Sequence, residues 1–481
     1  VQAIASAPYP LDAPAPGWAE QDPHDWWSAL RVALEGVQDQ GVQLGHIAAI
    51  GLSGQMHGLV LMDEHNQSLI PCQTWADSRC EARARSIEPR FLRGRFAAIT
   101  GSRPNTSATA AKLLWVRQWR RDIWRAAASV LLPKDYLRLY LTGEMATDVS
   151  DASGTLLCDV AARAWSDEVL ETLDIDRRLL PPIVESPAIT GYVTAAAAAA
   201  LDLPPGIPVV AGAGDAECAA VGMGLVGEPS DAGVAMISIG TAAQVFVVTD
   251  MPLTVAATGL QTLCHAVPGR WHVMAGLLSG SSTLDWLASA LSTPSAVPAS
   301  PTGLLDEATA EPPGARGLLF LPHLRGTRMP VPDPAVRGAF VGLRPEHSRA
   351  TLTRAVLEGV ALALAEALQT VRTAGIEVRE VRLAGGARRH PLWPRVLADA
   401  LGLPVRLGAT EDASAFGAAL LAALGVGALP SSAAIGRLAR PHGPTILPDA
   451  SAHALYRNLA RLASQTTKRL RPTFRSLGTL S

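Results

Sequence analysis

Four short stretches hold residues whose types and spacing could carry chemistry. The first is Val209-Val210-Ala211-Gly212-Ala213-Gly214-Asp215-Ala216-Glu217, an apolar run that ends in glycines and a carboxylate. Ligands bind at strand ends in open α/β sheets. An acid placed there can take the proton of an attacking hydroxyl during phosphoryl transfer. The plainer alternative is that Asp215 caps a helix over residues 218–222. The second stretch is Gly54-Gln55-Met56-His57-Gly58, also at a predicted strand end. His57 there could hydrogen-bond a polyol, or it could satisfy buried backbone. The third is a pair of glycine turns, Ser238-Ile239-Gly240-Thr241 and Ala384-Gly385-Gly386-Ala387. A glycine turn after a strand exposes amides and lets a phosphate approach, and Thr241 adds a hydroxyl. Each is equally an ordinary tight turn. The fourth is Trp75-Ala76-Asp77-Ser78-Arg79, whose Asp and Arg either pair with each other, the plainer reading, or meet a ligand.

The elements that must position these residues alternate between strand and helix patterns. Residues 43–52 contain a predicted strand running out through Gly51 to Gly54, and residues 209–213 another after the Pro204-Pro205-Gly206 turn. Residues 235–239 and 244–248 read as two strands joined by Gly240-Thr241-Ala242-Ala243. Residues 377–383 form a further strand. Thr194 should cap the alanine run 195–200, and residues 349–373 form one long amphipathic helix. The proline-rich stretch 293–313 reads as a surface segment between helices. This alternation implies a layered α/β protein.

Composition narrows the function classes. At 481 residues, 48% hydrophobic and 17% charged, the chain is globular and large enough for two or three domains. Lys and Arg number 41 against 43 Asp and Glu, which argues against nucleic acid as the main partner. No apolar stretch of about 20 residues is found, so no membrane span is expected. Cys72, Cys80, Cys158, Cys218 and Cys264 are scattered and form no CxxC pair, so neither a disulfide framework nor a zinc site is expected. A reducing cytoplasm fits this usage. There is no GxxxxGK[ST] P-loop and no GxGxxG after the first strand.

Taken together the motifs resemble the FGGY family of carbohydrate kinases, most closely its bacterial xylulokinase branch. Several stretches carry the likeness from about Trp18 onward: Trp18-Ala19-Glu20-Gln21-Asp22-Pro23, Gly54 to Gly58, Ala111-Lys112-Leu113-Leu114-Trp115, Leu131-Leu132-Pro133-Lys134-Asp135-Tyr136, and Asp148-Val149-Ser150-Asp151-Ala152-Ser153-Gly154-Thr155. Further on come Gly214-Asp215, the two glycine turns, Gly338-Ala339-Phe340-Val341-Gly342-Leu343 and Ala355-Val356-Leu357-Glu358-Gly359. The resemblance implies two actin-like (ribonuclease-H-like) α/β domains, residues 1–226 for sugar and 227–481 for nucleotide, with a cleft between them. It implies phosphorylation of a sugar by ATP with Mg²⁺, the acceptor being the 5-hydroxyl of D-xylulose. By match, Asp215 is the general base, Met56 and His57 line the sugar pocket, and Gly240 and Thr241 face the β- and γ-phosphates. Gly385 and Gly386 lie beside the adenosine, and Ser281 approaches the nucleotide. A cytoplasmic homodimer is implied as well. With this resemblance the general-base reading of Asp215 and the sugar-pocket reading of His57 take precedence.

Some positions depart from the family pattern. The opening hairpin with Asp-x-Gly-Thr and a following Lys has no counterpart, because Val1 to Pro8 corresponds to a strand just downstream. The N-terminal sheet is therefore expected to lack its first strands, the chain as written to have much reduced activity, and a longer gene product to be the active kinase. Ala216 stands where xylulokinases commonly carry Asn, with Glu217 a candidate to replace its polar contact. Gly326-Thr327-Arg328-Met329-Pro330 lacks the Glu of the family's Gly-Glu-Arg-Thr-Pro stretch. The alternatives are a kinase of another ketopentose or polyol, or a sugar-binding relative without catalysis.

Overall fold

The computed structural model describes residues 1–254, 258–292, 300–329, 332–408 and 410–478. Its largest sheet grows from the hairpin expected around Gly240. Val234–Ile239 (β1) and Ala243–Thr249 (β2) are rich in valine and isoleucine and pair antiparallel. Gln261–Cys264 (β3), Trp271–Leu277 (β4), Glu380–Ala384 (β5), Val405–Leu407 (β6) and Thr445–Ile446 (β7) complete seven strands in the order β3-β4-β2-β1-β5-β6-β7. β1 and β5 run parallel, with Ser238 opposite Ala384. The two glycine turns therefore leave the sheet side by side at the same edge, the end where α/β sheets bind ligands.

Both faces of this sheet are covered. The helix Arg349–Thr373 starts at a capping box between Ser348 and Thr351 and has the expected bounds. Leu357, Val360, Ala361 and Leu364 on that helix pack with Ile237, Val245, Val381 and Leu383. On the other face Met236, Phe246 and Ala384 meet Ala219, Ala220 and Met223 from the helix Asp215–Gly222. The sheet thus carries the Asp215 helix on its back.

The N-terminal half is held differently. Among the described residues its strand pairings are all two-stranded, and Ser53–Gly54 lies parallel to Ala213–Gly214. The strand expected within residues 43–52 reduces to a 3₁₀ turn at Leu44–His46 and a single bridge from Ile50 to Val209. Gly51 explains the interruption. A Cβ there would lie 2.0 Å from the Ala418 oxygen, so a helix packs on the chain at Gly51 while Ile50 and Leu52 bond residues 208–213 alongside. The same close approach joins Asp215–Gly222 to Ala413–Gly425. A Cβ on Gly417 would stand 1.8 Å from the Cys218 oxygen, and one on Gly222 2.0 Å from the Ala413 oxygen.

A seam ties the halves along the sheet edge. The Thr262 amide donates to the Gly101 oxygen at 2.9 Å, the Cys264 amide to Ser153 Oγ at 3.1 Å, and Gln261 Nε2 to Ser102 Oγ at 2.9 Å. The edge strand β3 is thereby covered. Thr194 caps Ala195–Leu201 as expected. Within the proline-rich stretch, Ser300 caps a helix at Pro301–Ala308, while residues 293–299 lie outside the described residues. All five cysteines are buried and free. Among the described residues no helix is long and apolar enough to cross a membrane.

Candidate active site

Asp215 is the first residue of its helix, and the cap position belongs to Gly214. The helix-cap reading of Asp215 therefore gives way to a first-turn carboxylate, stabilised by the helix dipole. Its Oδ1 accepts from the Ala216 amide at 2.9 Å, and Ser414 Oγ donates to its carbonyl at 3.0 Å. Protein crowds the carboxyl from the sides while its face stays open to solvent, as on the floor of a cleft. This crowding pushes its pKa up to about 6, against the opposing pull of the Ala216 amide. Gly214 leaves no room for a side chain, since a Cβ would meet Glu217 Oε2 at 2.4 Å and Met56 Cγ at 2.8 Å. Asp215 and Met56 thus share one corner.

The next residue, His57, has a left-handed backbone, φ 70°, and its ring lies with the Met56 methyl against Gly154. The strain is held by Lys112, whose buried Nζ donates to the His57 oxygen at 2.8 Å and the Ser107 oxygen at 2.6 Å. Thr109 Oγ1 donates to the same His57 oxygen at 3.1 Å. Both residues come from the helix Thr109–Trp119. His57 Nδ1 lies 2.7 Å from the Gly154 oxygen, which can only accept, so Nδ1 carries the hydrogen. Burial, reinforced by Lys112, lowers the His57 pKa to about 3. The ring is neutral, and Nε2 is left as an acceptor for a hydroxyl.

The glycine turns are open where a ligand would need them to be. A Cβ on Gly240 or on Gly386 would have no heavy atom within 4 Å. Gly385 has φ +83°, and a Cβ there would lie 2.5 Å from the Ile239 oxygen, so the second turn closes directly on the first. Thr241 is exposed. Ser281 has a different part. Its amide and its hydroxyl both donate to the Gly240 oxygen, at 2.7 and 2.9 Å, so its side chain braces the turn. Asp77 and Arg79 pair with each other, Arg79 Nε lying 2.9 Å from both Asp77 oxygens, and the guanidinium stacks on Trp18. Glu20, 2.8 Å from Arg79 Nη1, completes this ionic cluster.

Two buried clusters behind the site escaped the residue-by-residue reading. Lys134 Nζ reaches Asp135 at 2.7 Å, Asp148 at 2.8 Å and Asp151 at 3.1 Å, and Arg138 reaches Asp135 at 3.0 Å. Asp148 accepts from Ser150, whose hydroxyl in turn takes the Gly214 amide at 3.3 Å. The network thus ends one residue from Asp215. The second cluster is Glu217, fully buried, with His272 Nε2 3.3 Å away and stacked on Phe246. Glu217 faces inward, so it does not replace the missing amide at Ala216. Only the alternation of charge with apolar residues in 131–151 could have signalled the first cluster. Among the described residues no group of three or more His, Cys, Asp or Glu side chains is placed to hold a metal ion.

Comparison with known proteins covers nearly the whole chain. Residues 1–222 match the N-terminal domain, and residues 235–426 the C-terminal domain, of the FGGY family of carbohydrate kinases. The chain is 41% identical to the xylulose kinase of Escherichia coli over 449 residues, 93% of this chain and 90% of that one. It is 34% identical to the xylulose kinase of Lactococcus lactis, over 89% of this chain and 84% of that one. Its structure superposes on a xylulose kinase from Rhodospirillum rubrum with a TM-score of 0.85 at 31% identity, covering 98% of this chain and 95% of the other. An acid at a strand end, a neutral imidazole next to Met56 and paired glycine turns on a two-part α/β frame are what such an enzyme needs, and with both halves matched this chain belongs to the FGGY family of carbohydrate kinases.

Proposed function

We propose that the chain transfers the γ-phosphoryl group of ATP to the 5-hydroxyl of D-xylulose, with Asp215 as general base. The observation that carries this reading is the Asp215 carboxyl, crowded yet open, just past Gly214 where that strand end packs against Met56. The relatives named xylulose kinases support the choice of sugar.

His57 Nε2 and the wall at Met56 hold the sugar. Asp215 takes the proton of the 5-hydroxyl as its oxygen bonds to the γ-phosphorus, while the bond from that phosphorus to the β-bridging oxygen breaks and ADP departs. The protonated Asp215 then returns its proton to solvent. The open spaces at Gly240 and Gly386 fit phosphates approaching bare backbone. Mg²⁺ carried by the nucleotide supplies charge neutralisation across its phosphates, held mainly by those oxygens and water. Thr241 offers a hydroxyl at the β- and γ-phosphates, and Ser281 keeps the turn in shape. Gly385 and Gly386 lie on the adenosine side. General-base catalysis contributes roughly 10²–10⁴ in rate. Positioning and charge stabilisation account for most of the remainder.

One observation favours a second reading, a kinase of another ketopentose or polyol. Ala216 packs with Met56, Leu263 and Met274, an apolar wall where an amide would contact sugar. A panel of pentuloses and alditols separates the two by kcat/KM. The reading also includes a boundary between sugar and nucleotide domains at residues 226–227, a cytoplasmic location and a homodimer, the last resting on family likeness alone and open to light scattering. The decisive experiment is ATP turnover with D-xylulose for the wild type and Asp215→Asn. The expected loss is at least a hundredfold in kcat with the melting temperature kept. Near-normal kcat in the variant would remove Asp215 from the mechanism.

A further inference from the structure

Arg328 is a cation in the cleft that the mechanism above leaves unused. It comes from the nucleotide half, yet its Nη2 donates to Ser107 Oγ in the sugar half. Burial lowers the pKa of its guanidinium, and among the described residues no carboxylate pairs with it. A buried or half-buried arginine without an acidic partner is costly unless an anion arrives. Lys112 repeats the pattern one step away. Its ammonium is spent on the oxygens of Ser107 and His57, so Ser107 sits between two cations.

A second observation lies at the end of β4. Ser279 Oγ is buried and has no hydrogen-bond partner among the described residues. It lines a small cavity together with Leu277, Thr327 and Arg328. The next amide, Gly280, donates to the Thr241 oxygen at 2.9 Å, so this cavity adjoins the first glycine turn. A Cβ on Gly276 would stand 3.8 Å from Arg328 Nη1, which places the guanidinium over the same strand end. On its other side Arg328 is close enough to His57 to act on its charge.

We propose that Arg328 and Ser279 form an anion subsite between the His57 pocket and the Thr241 turn, which receives the phosphoryl group as it reaches the sugar. The inference rests on the kinase reading and deepens it. A guanidinium can give two parallel N–H donors to phosphate oxygens, and Ser279 gives a third. Neither residue makes or breaks a bond. Each stabilises charge on the equatorial oxygens in transfer and, after it, on the sugar phosphate. The site therefore favours phosphorylated product over free sugar.

The test is calorimetric binding of D-xylulose 5-phosphate and of D-xylulose to the wild type, R328Q, R328K, S279A and S107A, with kcat measured in parallel. In R328Q, product affinity should fall at least tenfold and kcat about a hundredfold, while affinity for free sugar stays within twofold. R328K should recover part of the product affinity, since it restores charge without the fork. S279A should lose severalfold in product affinity. S107A should keep product affinity within twofold, because it removes only the tie between the halves. Product binding in R328Q equal to the wild type overturns the subsite, as does an S107A variant that reproduces R328Q. A wild type that binds the sugar phosphate and shows either result loses the subsite alone. A wild type that neither binds nor phosphorylates any pentulose loses the kinase reading and the subsite with it.

Discussion

The surroundings of Asp215 and His57 drive their titrations apart. Burial and Lys112 hold the His57 pKa near 3, so the ring is neutral at any working pH. Crowding lifts Asp215 to about 6, so its carboxylate forms above that pH and is lost below it. The acid limb of kcat/KM should therefore centre near pH 6 and belong to Asp215. His57→Gln should keep that limb and raise the sugar KM about tenfold, the effect of one hydrogen bond of ~1.4 kcal/mol. Profiles of both proteins from pH 5 to 8 check this, and a limb that moves in His57→Gln would reassign it to the imidazole. The candidate base was legible because an acid after glycines at a strand end is a local pattern. The tautomer of His57 was not, because its partner Gly154 lies 97 residues away in sequence. Ser281 was legible as a neighbour of the turn but not as its brace, since that depends on which oxygen its hydroxyl meets.

At the scale of elements, the Lys134 network decides where the sugar-side strands end. It links the helices Pro133–Thr142 and Val149–Gly154 to Gly214. A Cβ on Gly54 would meet Lys134 Cβ at 2.8 Å, so the strand end lies directly on the lysine. Lys134 and Arg138 face three carboxyls, one too many, and Asp151 answers by holding its proton, its pKa pushed up to about 8 by burial. Lys134→Met should cost at least ~3 kcal/mol, because it leaves buried carboxylates uncompensated. Asp151 has the opposite signature. Its folded pKa lies above its unfolded value, so the folded state binds the proton more tightly. Its contribution to stability is present at low pH and declines as pH rises towards 8. Urea titrations between pH 5 and 8.5 should show that decline in the wild type and a flatter profile in Asp151→Asn. An equal slope in both would place the extra proton elsewhere. The hairpin at Gly240 and the helix Arg349–Thr373 were legible because strong periodicity and a cap agree with their tertiary setting. Of the strand within residues 43–52 only the end was legible, since Ile50 and Leu52 bond residues 208–213 while a helix packed on Gly51, set by residues far along the chain, interrupts the ladder.

At the scale of the molecule, two of the attachments that join the halves are built from backbone. One is the seam at β3, with its backbone hydrogen bond from Thr262 to Gly101. The other is the crossing of Asp215–Gly222 on Ala413–Gly425, where backbone meets backbone at Gly417 and Gly222. The crossing matters for chemistry because the helix it fixes begins at Asp215, the proposed general base. Halves joined by such contacts should unfold together, so calorimetry of the wild type should give one transition. Gly417→Ala inserts a methyl 1.8 Å from the Cys218 oxygen, a rigid neighbour, so the helices must separate. The seam at β3 survives that change, and each half keeps its own core. The variant should therefore retain its circular dichroism while its thermal transition broadens or splits. Its kcat should fall about a hundredfold, since a shift of about 1 Å in a reacting group has that effect. A Gly417→Ala protein with one sharp transition and wild-type turnover would show that the crossing does not set the position of Asp215.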